Sequence, residues 1–403
     1  MLPRLRAGLD FIPSPFPDKP GLVIRDPFQF SDVTLIIPPP LVSCLTFYDG
    51  EQSSLDLRAH LTRATGSLES GDVEAHLTEA LSNAGFLEDQ NFAERRAEAE
   101  KAFAEAPHRE PAHSGSGYPD EPVELRKTFA EYLTGPAPEP RAGKLRAIAA
   151  PHVSPFGGID AYRAAYSCLT PEDADRTVVI LGTSHYGYPS RWGLTRKPFH
   201  TPYGVTRPAT ELIDEIERKA PDSVLMEDYC HAIEHSIEFQ VVFLQHLLGP
   251  DIRVLPILCG SFFRSIEQGG LPEDDPIVER ALGTLGEIAA REGDKLLWVL
   301  GVDMAHIGRR YGDPLSVSAG RGEMTEVEQR DRERIDRLSA GDVQGYWERI
   351  QENQDDLKWC GSAPIYTFLR ALPEVRGELM HYQQWNIDPE SVVSFAGMRF
   401  LSR

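Results

Sequence analysis

The chain has 403 residues, with 62 Asp and Glu against 41 Lys and Arg and a formal charge of −21 at pH 7, a balance that repels nucleic acid and anionic membrane surfaces. No apolar run reaches the ~20 residues a membrane span needs, and the opening MLPRLRAGLDFIPSPFP lacks the apolar stretch of a signal peptide. A cytoplasmic protein with no nucleic-acid or membrane partner is expected, and the length suggests two domains. Cys44, Cys168, Cys230, Cys259 and Cys360 are scattered and never form a C-x-x-C pair, which suits reduced thiols.

Residues 20–48 hold two β-rich runs, GLVIRDP and VTLIIPP, followed by LVSCLTFYDG running into an Asp-Gly turn. Two amphipathic segments follow, Leu55 to Thr65 and Ser70 to Ala84, the second ending at a glycine. Together they predict a small α+β, winged-helix-like domain over residues 1–105. The order of its elements and its RDP and FYDG turns resemble the small peptide-binding domains related to the PqqD chaperone. Asn91 to Ala106 is rich in Ala, Glu and Arg without an apolar stripe, so a solvated helix is expected. The Pro/Gly-rich stretches 107–120 and 135–144 read as linkers around a short helix, which makes 106–143 a connecting region. His108 and His113 lie there, where exposed histidines are expected to bind nothing.

From residue 144 onward strands and helices alternate. Strands are expected at Leu145–Ala150, Arg176–Leu181, Ile252–Leu258 and Lys295–Leu300, with helices between them and two β-rich runs at the end. The pattern predicts an α/β domain over 144–403, a mostly parallel sheet sandwiched by helices. Three of these strands end in chemistry: AAPH at His152, LGTSH at His185, and LGVDMAH at Asp303 and His306. Open α/β sheets bind ligands beyond the carboxyl ends of their strands, so these groups are candidates for one metal or catalytic site. In EHSIEFQVVFLQHLLG, Ile237, Val241, Leu244 and Leu248 form a buried stripe, while Glu234, His235 and Glu238 fall in the first turn. Acidic residues suit that position through the helix dipole alone. An adjacent Glu234 and His235 also match a base and the group that orients it. Cys360 precedes another helix, whose amide groups are expected to stabilise a thiolate.

The series APH, LGTSH, TPYG, EHSIEFQ, LPILCG, DMAH and Cys360-Gly-x-x-Pro-Ile resembles the MEMO family, whose bacterial members are called AmmeMemoRadiSam system protein B, over residues 144–403. The resemblance implies a fold similar to class III extradiol dioxygenases, a single metal held by His152, His185 and Cys360, and His306 as the counterpart of the dioxygenase acid/base. It also implies a radical-SAM protein and an AMMECR1-like protein as partners. The family's APHAGYxYSG, GPSHH and SSDxxHW stand here as APHVSPFGG, GTSHYG and GVDMAHIG, so a tyrosine, a second histidine, a serine and a tryptophan are missing from the pocket. Two histidines and a thiolate suit iron(II) or copper(I); zinc ranks behind them, since the H-E-x-x-H hydrolase signature is absent. The expected function is a mononuclear, dioxygenase-like redox enzyme acting on a small molecule or peptide, with Glu234, His235, Asp303 and His306 as catalytic groups. The alternative is a non-catalytic metal- or peptide-binding partner protein with a vestigial site.

Overall fold

The computed structural model describes residues 1–66, 70–136 and 143–402, and the chain falls into two compact units, Met1–Glu105 and Ala106–Arg403. In the first, β1 (Asp10–Pro13), β2 (Leu22–Arg25) and β3 (Leu35–Ile37) pair antiparallel in that order. After a short helical turn at Pro39–Val42 come the longer helices α1 (Ser54–Thr65), α2 (Ser70–Asn83) and α3 (Gln90–Glu105). Ser53 starts α1 through a reciprocal capping box with Asp56. Ile24, Ile37, Leu57, Leu61, Leu81 and Phe86 close a small core.

The second unit is mixed α/β around one large sheet. Its strands of three residues or more are β4 (Leu145–Ala150), β5 (Thr177–Thr183), β6 (Trp192–Leu194), β7 (Val224–Met226), β8 (Arg253–Cys259), β9 (Leu296–Gly301), β10 (His306–Gly308), β11 (Val375–Asp388) and β12 (Ser391–Ser402). The path runs β7-β6-β8-β5-β9-β4-β12-β10, with β11 paired to β12. The centre, β8-β5-β9-β4, is parallel, and β12 joins β4 antiparallel. Successive strand residues point to opposite faces. Accordingly Val179, Leu181, Trp298 and Leu300 pack on one side, while Val178, Ile180, Leu297 and Val299 pack on the other. The first side is covered by α8 (Pro276–Glu292) and α11 (Ser362–Ala371). The second is covered by α4 (Pro122–Leu133), α5 (Ile159–Tyr166) and α7 (His235–Leu248). Helices α6 (Thr210–Lys219), α9 (Glu323–Ala340) and α10 (Val343–Gln351) also belong to the unit. Among the described residues, no helix is long and apolar enough to cross a membrane.

One expectation fails here. The segment after Glu105 is no linker: Arg109, Tyr118, Leu125 and Phe129 are all buried in the second unit, and α4 packs Phe129 against Phe243 with ring centroids 4.4 Å apart. Buried polar anchors outweigh the Pro/Gly composition, which signals only the absence of regular structure. Residues 137–142 of the expected connecting region lie outside the described residues.

Helix α7 is pressed onto the strand ends at two glycines. A Cβ on Gly182 would collide with Ser236 and Ile237, and one on Gly301 with the Ser236 carbonyl. Gly301→Ala is therefore expected to lower stability by ~1–3 kcal/mol, as overpacking does. Gly283→Ala, at an exposed position inside α8 with nothing within 4 Å of its Cβ, should raise it by ~0.5–1 kcal/mol. Urea midpoints of the two variants check both signs.

Candidate metal centre

The parallel strands deliver their last residues to one edge, and α7 brings its first turn down to meet them. His152 follows β4, His185 follows β5, Asp303 and His306 follow β9, and Cys360 precedes α11. One ring nitrogen from each of His152, His185 and His235 lies within 4.8 Å of the other two. Ring centroids are 5.0 Å apart for His152 and His185 and 5.1 Å for each of the other two pairs. His235, expected as a proton carrier, thus stands in one cluster with His152 and His185. Cys360 adjoins them, its Sγ 3.3 Å from His152 Nε2.

Each imidazole is held from behind. His152 Nδ1 meets the Gly301 carbonyl at 2.9 Å; a carbonyl only accepts, so this nitrogen carries the proton and Nε2 keeps its lone pair. Glu234 caps α7 by accepting from the amides of His235 and Ser236. The same carboxylate accepts from the His185 amide at 3.0 Å and lies 3.0 Å from His185 Nδ1 and 3.1 Å from His235 Nδ1. It is 1% exposed. Burial opposes its charge, but His185 and His235 hold it well below the usual carboxylate range. Burial likewise opposes a charge on His185, and the Glu234 carboxylate and Cys360 outweigh it, raising that imidazole well above its ordinary value. His152, buried and facing His185 and His235, is pushed well below.

Asp303 accepts from the His152 amide at 2.8 Å, and its Oδ2 lies 3.4 Å from His152 Nε2. Burial raises its pKa. His306 is lowered to about 4, chiefly by burial, with Nδ1 2.9 Å from the Met304 carbonyl and 3.1 Å from that of Lys358. The thiol of Cys360 departs from expectation. Burial pushes its pKa up against the pull of His185, and the residue lies two positions before the first residue of α11. A cleft of about 500 Å³ opens beside the cluster, lined by His185, Cys360, Lys358, Glu267 and Phe263. Its rim is strained: Gln354, Asp355 and Lys358, which line it, all have φ between 53° and 57°, a left-handed region that costs such residues about 1 kcal/mol or more each.

Two supporting groups escaped the sequence reading. Asp331 on α9 is fully buried and accepts from Trp359 Nε1 at 2.6 Å, Ser394 Oγ at 2.5 Å and Tyr382 OH at 2.8 Å. Ser394 Oγ in turn accepts from the Ala305 amide, so one carboxylate ties the residue before Cys360 to the residue before His306. The second is the strap at 109–118. Arg109, 1% exposed, donates to the carbonyls of His231 and Glu234 at 2.8 and 2.9 Å and pairs with Glu238. Glu238 also accepts from the amides of Ala112 and His113 and from Tyr118 OH. The His113 ring lies 5.6 Å from that of His235. Glu238 is thus more than a dipole-favoured residue of the first turn: it seats α7 on the strap.

Compared with known proteins, the chain matches the family model described as Memo-like protein over residues 109–399, so the matched region begins at Arg109 and not near 144. It is 28% identical over 404 residues to a MEMO1 family protein of Aquifex aeolicus, covering 99% of this chain and 100% of that one. A MEMO1 family protein of Methanosarcina barkeri is 27% identical over 300 residues, covering 72% of this chain and 98% of that one. One of Thermococcus kodakarensis is 28% identical over 304 residues, covering 72% and 99%.

Arg109→Met leaves Glu238 buried without its countercharge and should cost ~3–5 kcal/mol; adding Glu238→Gln should recover part of this loss. Equilibrium denaturation of the single and double variants measures it. Asp331 supplies a pH signature. Its pKa is raised to about 6, chiefly by burial, so between that value and the ordinary one near 3.8 the folded state holds a proton that the unfolded state has lost. Its contribution to stability must therefore fall as pH rises from 4 to 6.5, by roughly 2–3 kcal/mol. The parent-minus-Asp331→Asn difference in unfolding free energy, followed across that range, should carry this slope.

Proposed function

The chain belongs to the MEMO family, and from that premise and the geometry above we propose that it is a mononuclear metal protein with dioxygenase-like redox activity. The observation that supports this most is the arrangement of three imidazoles, each with Nδ1 engaged by Gly301 or Glu234 and one ring nitrogen within 4.8 Å of the others. Histidine ligands are oriented in this way, by a carbonyl or carboxylate on the far nitrogen. His152, His185 and His235 would hold the ion, with Cys360 as the thiolate donor, and a set of this kind suits iron(II) or copper(I). When bound, such an ion supplies one-electron chemistry and open positions for oxygen and substrate.

The chain's own groups do the rest. His306, lowered to about 4, is neutral at pH 7; its Nδ1 is tied to two carbonyls, so Nε2 is the atom that takes a proton from a substrate hydroxyl. Asp303 fixes the His152 backbone and stands ready as a second proton acceptor. Glu234 keeps His185 and His235 aligned. The cleft over Cys360, with Lys358 and Phe263 on its walls, accommodates a small polar molecule or the end of a peptide. A cytoplasmic setting, with radical-SAM and AMMECR1-like proteins as companions, belongs to the same reading.

Anaerobic reconstitution with iron(II) or copper(I), read by elemental analysis, tests the reading. One ion per chain is expected; His185→Ala should abolish it, and Glu234→Gln should weaken affinity by ~10–100-fold. Cys360→Asp should move the preference from copper toward iron. Cys360→Ser that binds both metals like the parent but melts lower would make Cys360 a packing residue. Tight metal without oxygen consumption on catechol-like or peptide substrates would favour the non-catalytic alternative.

A further inference from the structure

We propose that His108, Glu110 and His200 form a second, separate metal site, of the kind that takes zinc. The backbone builds it. Arg109 and Phe199 are bridged as in a parallel sheet, the Arg109 amide donating to the Pro198 carbonyl and the His200 amide to the Arg109 carbonyl, both at 2.9 Å. Side chains alternate along extended backbone. Arg109 and Phe199 point inward, each 1% exposed, with the guanidinium 5.3 Å from the ring centroid. Their neighbours His108, Glu110 and His200 consequently turn to the opposite side and meet there.

The donor atoms of the three lie within 4.8 Å of one another. Glu110 stands between the imidazoles, Oε1 at 3.2 Å from His108 Nδ1 and Oε2 at 2.9 Å from His200 Nδ1, and the two rings stack at 5.4 Å with an interplanar angle of 18°. His108 Nδ1 is shielded from solvent and makes no hydrogen bond of proper geometry; it faces the Glu110 carboxylate, as two ligand atoms of one ion would. Two imidazole nitrogens and a carboxylate oxygen, partly open to solvent, are the zinc donor set that leaves a fourth position to water. Zinc here would staple the strap to the turn that follows Phe199. Through Ala112, His113 and Tyr118 the strap seats Glu238 and hence α7, so occupancy would stiffen the support of the main centre without touching it. The inference does not depend on the redox reading, since none of the three residues belongs to that centre.

The test is zinc binding by equilibrium dialysis in the full chain carrying His152→Ala and His185→Ala, which removes the main centre. One zinc per chain is expected to remain and to raise the melting midpoint; adding His108→Ala or His200→Ala should remove both the ion and the shift. Both side chains are partly exposed and carry none of the core, and circular dichroism verifies the fold. If the doubly substituted background does not fold, the comparison is made in the parent chain, where His200→Ala should lower bound zinc by one equivalent while leaving that of the main centre. Zinc stoichiometry and melting shift unchanged by His108→Ala and by His200→Ala would overturn the proposal.

Discussion

The centre depends on one buried carboxylate. Glu234 takes hydrogen bonds from three backbone amides and faces two imidazoles, and a charge this deep persists only when donors surround it. Those donors come from two places far apart in the chain, the turn after β5 and the first turn of α7. The carboxylate therefore fixes the relation of sheet edge to helix, and the helix dipole adds to its stability. The close approach at Gly182 and Gly301 is the steric half of the same arrangement. Without those two missing side chains, α7 could not descend far enough for Glu234 to reach His185.

Much of this was legible from residue pattern. Apolar runs such as LRAIAA and RTVVIL, bounded by turn residues, marked the parallel strands, and a polar residue after each one placed His152, His185 and Asp303 on a single edge. The amphipathic stripe of α7 located Glu234 and His235 in its first turn. Pattern could not say which way the His235 ring faces, because adjacency to Glu234 suits a proton carrier and a metal donor alike. Asp331 was hidden for a different reason: it sits in EVEQRDRERIDR, where one buried carboxylate among many solvated charges leaves no periodic trace. The strap has the composition of a linker because Pro and Gly report the lack of regular structure, which an anchored loop and a free linker share. The helix dipole alone accounts for Glu238 in the sequence, and its pairing with Arg109 and Tyr118 is visible only as contact in three dimensions.

The departures from the family pattern acquire a setting. Tyr186 stands where the family has a histidine, its ring centroid 6.2 Å from that of His185, and Tyr311 packs edge-on against His306 at 4.9 Å. Phe156, in the VSPFGG turn, is exposed and meets Trp385 at 5.8 Å. Aromatic surface is thus still present around the centre, supplied from other positions.

The strap also bears on where the chain can be divided. A boundary drawn by composition near residue 144 would cut away Arg109, Tyr118 and α4, and with them the counterion of Glu238 and the apolar cover over Phe243. Recombination or gene fusion at that point would inherit a sheet whose key helix has lost its footing, whereas a junction at Glu105 and Ala106 follows the division between the compact units. The stretch that the family model matches likewise begins inside the strap, at Arg109.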